Sequence, residues 1–240
     1  MSVKTARKSR ASDELAEAFN KNYIFDFKIK RSFYLNPMHK QFYNCIINDK
    51  TKIGFVDGPA GSMKTYIAVY AGLELIKNED FTKLVYIRSI AESAEKSLGS
   101  LPGEIDDKFS PYAIPLDEKV IEIAGTGACS MLKQKGIIEA IPVNFVRGLT
   151  FNKTLVIVDE AQNLSRKELT TILTRFGRNS KYIVIGDSNQ ADVNKSGYKE
   201  IFNTFNTEQC RENDIYSFKF GNSEIARSKI LRFICPVLGT

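Results

Sequence analysis

The stretch Ile53-Gly54-Phe55-Val56-Asp57-Gly58-Pro59-Ala60-Gly61-Ser62-Met63-Lys64-Thr65-Tyr66 decides the reading of this chain. A short apolar run, a loop with two glycines and a helical stretch reaching Lys77 follow one another without a break. Gly58 to Thr65 fits the phosphate-loop pattern G-x-x-x-x-G-K-[ST], except that Met63 stands where the second glycine belongs. Backbone N–H groups in such a loop turn inward toward phosphates, and the following helix adds its N-terminal dipole. Gly58, Pro59, Ala60, Gly61, Ser62, Met63, Lys64, Thr65 and Tyr66 are therefore the candidate phosphate cradle. Lys64 would reach the terminal phosphates and Thr65 would ligate magnesium. Methionine is tolerable at 63 if that position does not demand positive φ, where a side chain is strained. A strand–loop–helix junction that carries Lys-Thr by chance is the alternative, and the loop alone does not decide.

Outward from the loop, Leu84–Ile87, Leu155–Val158 and Tyr182–Ile185 repeat the short apolar run. Each ends in polar or glycine residues and is separated from the next by helical segments, the mark of a parallel sheet covered on both faces. A further apolar pair, Ile137–Ile141 and Val143–Val146, lies between the second and third runs, and Ile215–Phe220 reads as another strand. Ser89 to Gly127, with Pro102, Pro111 and Pro115, predicts an excursion of short helices. Pro37 opens a helix to about Asn48. Before it, Ser12 offers an N-cap to a short helix and Tyr23–Lys30 alternates like an exposed-face strand. Residues 1–35 are thus expected to be a basic tail and annex, and 36–240 one α/β domain.

The third run continues into Asp159-Glu160. In a phosphate-loop fold that places Asp159 beside the magnesium and Glu160 where it can orient or deprotonate an attacking water. A paired Asp-Glu favours hydrolysis over a switch or kinase role. The fourth run ends Gly186-Asp187-Ser188-Asn189-Gln190, and Gln190 can sense the γ-phosphate or its water without repelling it. A solvated acidic turn and an ordinary Gly-Asp-Ser-Asn turn are the bland readings.

Composition narrows the classes. With 34 Lys and Arg against 28 Asp and Glu, the net charge of +6 is compatible with an anionic partner without requiring one. A single histidine, His39, excludes His-rich metal sites and leaves any nucleophile device one possible base. The four cysteines (Cys45, Cys129, Cys210, Cys235) lie far apart with no C-x-x-C, so they read as reduced thiols in a cytosol. No run of about 18 apolar residues suits a membrane span, and the basic N-terminus lacks the apolar core of a signal peptide. A soluble cytoplasmic protein is expected.

These segments together resemble the PhoH-like family of P-loop ATPases, related to the ATPase core of superfamily 1 helicases. The resemblance rests on Gly58–Thr65, Arg88, Leu98–Gly103, Pro111-Tyr112, Gly136–Ala140, Phe145–Thr150, Val158-Asp-Glu-Ala-Gln162, Leu173-Thr-Arg-Phe-Gly177 and Gly186–Gln190, in the family's order. It implies a three-layer P-loop NTPase (RecA-like) fold, a mostly parallel sheet with helices on both faces, and hydrolysis of ATP with Mg2+. It further implies a link to RNA metabolism, with helicase or ribonuclease activity. Gln41, in Asn36-Pro37-x-x-x-Gln41, resembles the glutamine that reads the adenine edge, and Arg227 the arginine that contacts the γ-phosphate. Arg147 and Arg175 match arginines in the family's motifs.

The expected activity is an ATP-driven helicase, translocase or remodelling factor on single-stranded nucleic acid, RNA before DNA. Arg88, Lys96, Phe109, Tyr112, Phe145 and Arg147 would supply the charge and stacking surfaces of the groove. A lone core leaves the nucleotide open on one side. A homo-oligomer is therefore expected, with a neighbour's arginine (Arg175 first, Arg227 second) completing the site; the resemblance suggests a hexameric ring. The competing readings are a nucleotide-regulated binding module with little turnover and an ATPase-coupled ribonuclease.

Overall fold

The computed structural model describes residues 27–30, 35–89, 105–190 and 196–226, with Ile230, Phe233, Ile234 and Val237. Among the described residues six strands form one sheet: β1 (Ile53–Asp57), β2 (Lys83–Arg88), β3 (Ile138–Pro142), β4 (Thr154–Asp159), β5 (Lys181–Gly186) and β6 (Ile215–Lys219). Their order is β3-β2-β4-β5-β1-β6 and every pairing is parallel. The four strongest apolar runs are the four inner strands, as expected of strands buried on both faces. Val143–Phe145, read as half of a strand pair, is a 3-10 turn instead, entered directly from Pro142 at the end of edge strand β3.

Alternation along each strand divides the core. Leu84, Tyr86, Leu155, Ile157, Ile183 and Ile185 face one side, against α1 (Pro37–Ile47), α2 (Lys64–Lys77), α3 (Ile105–Ala124) and α4 (Thr126–Gln134). Val85, Ile87, Val156, Val158, Tyr182 and Val184 face the other, against α5 (Arg166–Leu173) and α6 (Tyr198–Thr204). A further short helix, α7 (Glu208–Glu212), precedes β6.

Two expectations change here. The interval expected to hold several short helices contains the 20-residue α3, with Pro111 and Pro115 inside it. Each proline removes one helical hydrogen bond. Leu116, Val120 and Ile123, all but fully buried at i, i+4 and i+7, hold the helix to the sheet regardless. Of the expected strand Tyr23–Lys30, the described part, Phe27–Lys30, pairs with no strand. Phe27 is buried in the first core, its carbonyl accepts from Lys77 Nζ, and Lys30 N donates to Ile123 O. The expected helix after Ser12 lies outside the described residues.

Candidate functional site

The C-terminal ends of β1, β4 and β5 and the start of α2 meet around a cleft of about 760 Å³, where ligands gather in open α/β sheets. Ala60 to Tyr66, Arg88, Asp159, Glu160, Gln162, Asp187 and Gln190 line it. The far wall is α3, through Pro115, Glu118, Lys119 and Glu122.

The loop geometry explains its residues. Gly58 lies under β6's continuation, and a Cβ there would fall 2.6 Å from Phe220 Cβ. Gly61 turns with φ 77°. Met63 turns as well, at φ 63° and ψ 12°. This corrects the condition under which methionine was tolerable: position 63 does adopt the left-handed conformation, and methionine bears its steric cost there. Ser62 Oγ donates to Pro59 O at 2.6 Å, closing the loop on itself. Behind it, His39 Nε2 lies 3.2 Å from Ser62 O. His39 is buried, and desolvation holds its imidazole below the ordinary histidine range against the opposing pull of Ser62 O and Glu224.

Lys64 Nζ donates to Gly58 O (2.6 Å), Pro59 O (2.8 Å) and Ser62 Oγ (3.3 Å). Desolvation lowers its pKa, while the negative charge of Asp187, Asp159, Glu160 and Asp57 raises it. Lys64 is thus a cation held on neutral carbonyls with the carboxylates of the strand tips around it. Asp187 is buried, with Oδ2 lacking a partner, and its desolvation pushes the carboxyl above its usual range.

Asp159 is gripped on both oxygens. Thr65 Oγ1 donates to Oδ1 at 3.0 Å and Tyr86 Oη donates to Oδ2 at 2.5 Å. A hydroxyl and a carboxylate side by side are hard oxygen donors that suit Mg2+, which keeps waters and phosphate oxygens for the rest of its shell. Among the described residues no cluster of three or more His, Cys, Asp or Glu is placed to hold a metal ion. A divalent ion here would thus depend on phosphate for much of its shell.

Glu160 sits in the left-handed region, φ 51° and ψ 41°, which turns it off the strand into the cleft. Its Oε2 accepts from Gln162 Nε2 at 2.6 Å and its Oε1 lies 3.7 Å from the Arg88 guanidinium. The other end of the Gln162 amide accepts from Asp187 N at 3.1 Å. Gln162 and Tyr86 carried no functional assignment in the sequence. Tyr86 reads there as one more large residue of a buried strand, and only its phenol among aliphatic neighbours signalled otherwise.

The structure thus brings together Lys64, Thr65, Asp159, Glu160, Gln190, Arg88 and the loop from Ala60 to Tyr66. Gly58 and Pro59 do not line the cleft; their carbonyls accept from Lys64 Nζ. Gln41 is exposed on α1 and does not line the cleft. Arg175 lies at the opposite end of the sheet: its carbonyl accepts from Phe151 N, and its charge acts on Tyr182 near the start of β5. Tyr112 on α3 and exposed Arg147 after β3 lie off the cleft lining. Arg227, Lys96 and the side chain of Phe109 lie outside the described residues.

Known proteins bear on this site. The chain is 40% identical over 138 residues to the PhoH-like protein of Bacillus subtilis (strain 168), covering 58% of this chain and 43% of that protein. It is 30% identical over 181 residues to Protein PhoH of Escherichia coli (strain K12), covering 73% and 50%. The chain spans half or less of the length of these two curated relatives. Among solved structures, the HK97 bacteriophage large terminase superposes with a TM-score of 0.53 at 14% identity, over 82% of this chain and 42% of that one, a likeness of fold. The PhoH-like protein family matches residues 34–238, a span that takes in the loop from Gly58 to Thr65, Asp159, Glu160 and every strand of the sheet. With this match and its P-loop NTPase fold, the chain belongs to the PhoH-like protein family.

Proposed function

We propose that this protein hydrolyses ATP and couples the hydrolysis to movement along, or remodelling of, single-stranded nucleic acid, RNA in preference to DNA. The observation that carries the reading is the convergence on one cleft of Lys64, Thr65, Asp159 and Glu160. Lys64 would exchange its loop carbonyls for phosphate oxygens, and Thr65 with Asp159 would hold Mg2+. When bound, that ion would neutralise charge developing on the phosphates. Glu160, restrained by Gln162, would orient the attacking water, and Gln190 would sense the γ-phosphate from the tip of β5.

Coupling to a polymer is supported by Arg88. It ends β2 at the cleft wall, carries the charge expected to meet nucleic acid, and pairs with Glu160. A strand that draws on Arg88 therefore alters the surroundings of the hydrolytic carboxylate. The exposed Phe145 and Arg147 beyond β3 extend the candidate track. Arg175 is too remote to serve its own cleft. Its proposed place is the site of a neighbouring copy in a homo-oligomeric ring.

The test is steady-state ATP hydrolysis with Mg2+, with and without single-stranded RNA and DNA, beside Lys64→Ala and Glu160→Gln. Turnover stimulated by RNA and lost in both variants is expected. ATP binding without turnover in the unaltered protein would instead leave a nucleotide-regulated binding module.

A further inference from the structure

Tyr86 belongs to β2, flanked in sequence by Val85 and Ile87 and paired across to Ile157 of β4. Its side chain rises from the core face shared with α2, fully buried. Phenylalanine would fill that space without desolvating a hydroxyl, a cost that a buried phenol recovers only through a partner. The partner is Asp159, two residues beyond Ile157 on the neighbouring strand. Tyr86 and Thr65 approach its two oxygens separately, so the carboxylate can neither swing about its side chain nor rotate in its plane without breaking one bond.

We infer that Tyr86 is a positioning residue for the metal–nucleotide complex: from beneath the cleft it fixes the Asp159 carboxylate in the orientation that Mg2+ bound with the nucleotide requires. This rests on the nucleotide reading above. Partners of a metal-holding carboxylate commonly govern metal affinity by roughly ten- to a hundredfold. The expected signature of Tyr86 is accordingly a changed magnesium requirement, with nucleotide contacts made by the loop left intact.

The experiment measures ADP binding by titration calorimetry at stepped MgCl2 concentrations, for the unaltered protein and Tyr86→Phe. The concentration of Mg2+ giving half its full effect on ADP affinity should rise about tenfold in Tyr86→Phe, while affinity for ADP without magnesium stays within about twofold. An unchanged magnesium midpoint overturns the inference. An absence of any magnesium effect in the unaltered protein would strike the nucleotide reading itself, so the two failures separate. If Tyr86→Phe does not fold, the unaltered protein still decides, through the tyrosine hydroxyl proton followed by NMR. MgCl2 with ADP should move its resonance and ADP alone should not; a resonance indifferent to both refutes the positioning role.

Discussion

Replacing Met63 by glycine, with alanine as its control, tests whether the phosphate loop holds its side chain under strain. At φ 63° and ψ 12°, a residue with a Cβ costs about 1–2 kcal/mol relative to the right-handed region. Glycine removes that cost but brings about 0.5–1 kcal/mol of extra chain entropy lost on folding. Alanine keeps the backbone cost and, like glycine, gives up the contact that the half-buried methionine makes with the first core. Side-chain loss therefore cancels between the two variants. Glycine should exceed alanine by roughly 0.5–1 kcal/mol, or about 1–4 °C in melting temperature for a chain of this size. Thermal unfolding followed by circular dichroism reads the difference. An alanine variant as stable as the glycine variant would mean that position 63 bears no left-handed penalty. ADP affinity supplies a second reading. Since the loop already holds the turn that glycine would favour, Met63→Gly should bind ADP within about threefold of the unaltered protein. A gain of tenfold, about 1.4 kcal/mol, would show that methionine distorts the cradle.

Two other residues give sharp expectations. Gln162→Ala frees Glu160 and leaves the buried N–H of Asp187 without its acceptor. Steady-state kinetics should show kcat for ATP falling on the order of tenfold with KM within about threefold, since a misplaced group acts on the chemical step. His39 contributes through pH. Its folded pKa lies below 6.5, so between that value and 6.5 the unfolded chain binds more protons and stability rises with pH. Acidification through this window should destabilise the unaltered protein, and His39→Gln, which keeps a donor able to reach Ser62 O, should show a shallower loss. Equal slopes in melting temperature from about pH 7 to pH 5 would remove His39 as the cause.

What the sequence disclosed follows from the range of the interactions involved. Inner strands β1, β2, β4 and β5 were legible because burial on both faces demands unbroken apolar runs, which need no knowledge of partners. The phosphate loop and Asp159-Glu160 were legible for a related reason: each is contiguous in the chain. Helix α3 is not legible as one helix because Pro111 and Pro115 are local signals of interruption, whereas Leu116, Val120 and Ile123 act through the sheet they cover. Position 63 shows the converse. The residue type argued for negative φ, and the turn closed by Ser62 with the helix start at Lys64 imposed the opposite. Tyr86 and the tie from Gln162 to Asp187 stay silent because their partners belong to neighbouring strands, and strand order is not written in any one strand.

That order also explains why the site should tolerate little repositioning. At the C-terminal edge the strands are tied by side chains beyond the backbone ladder. Tyr86 joins β2 to Asp159 of β4, and Gln162 joins the turn after β4 to Asp187 at the end of β5. Asp57 at the end of β1 accepts both the N–H and the hydroxyl of Ser188 beyond β5, at 2.7 and 2.8 Å. Each tie spans neighbouring strands, so the row β2-β4-β5-β1 is bound tip to tip just where Lys64, Asp159 and Glu160 would act together under the proposed function. Stabilising charge in a transition state requires groups already oriented before reaction, since reorientation during it would consume the gain. The ties supply that orientation. Loss of one should thus reach the chemistry before it reaches the fold, because the core on both faces of the sheet remains packed without it.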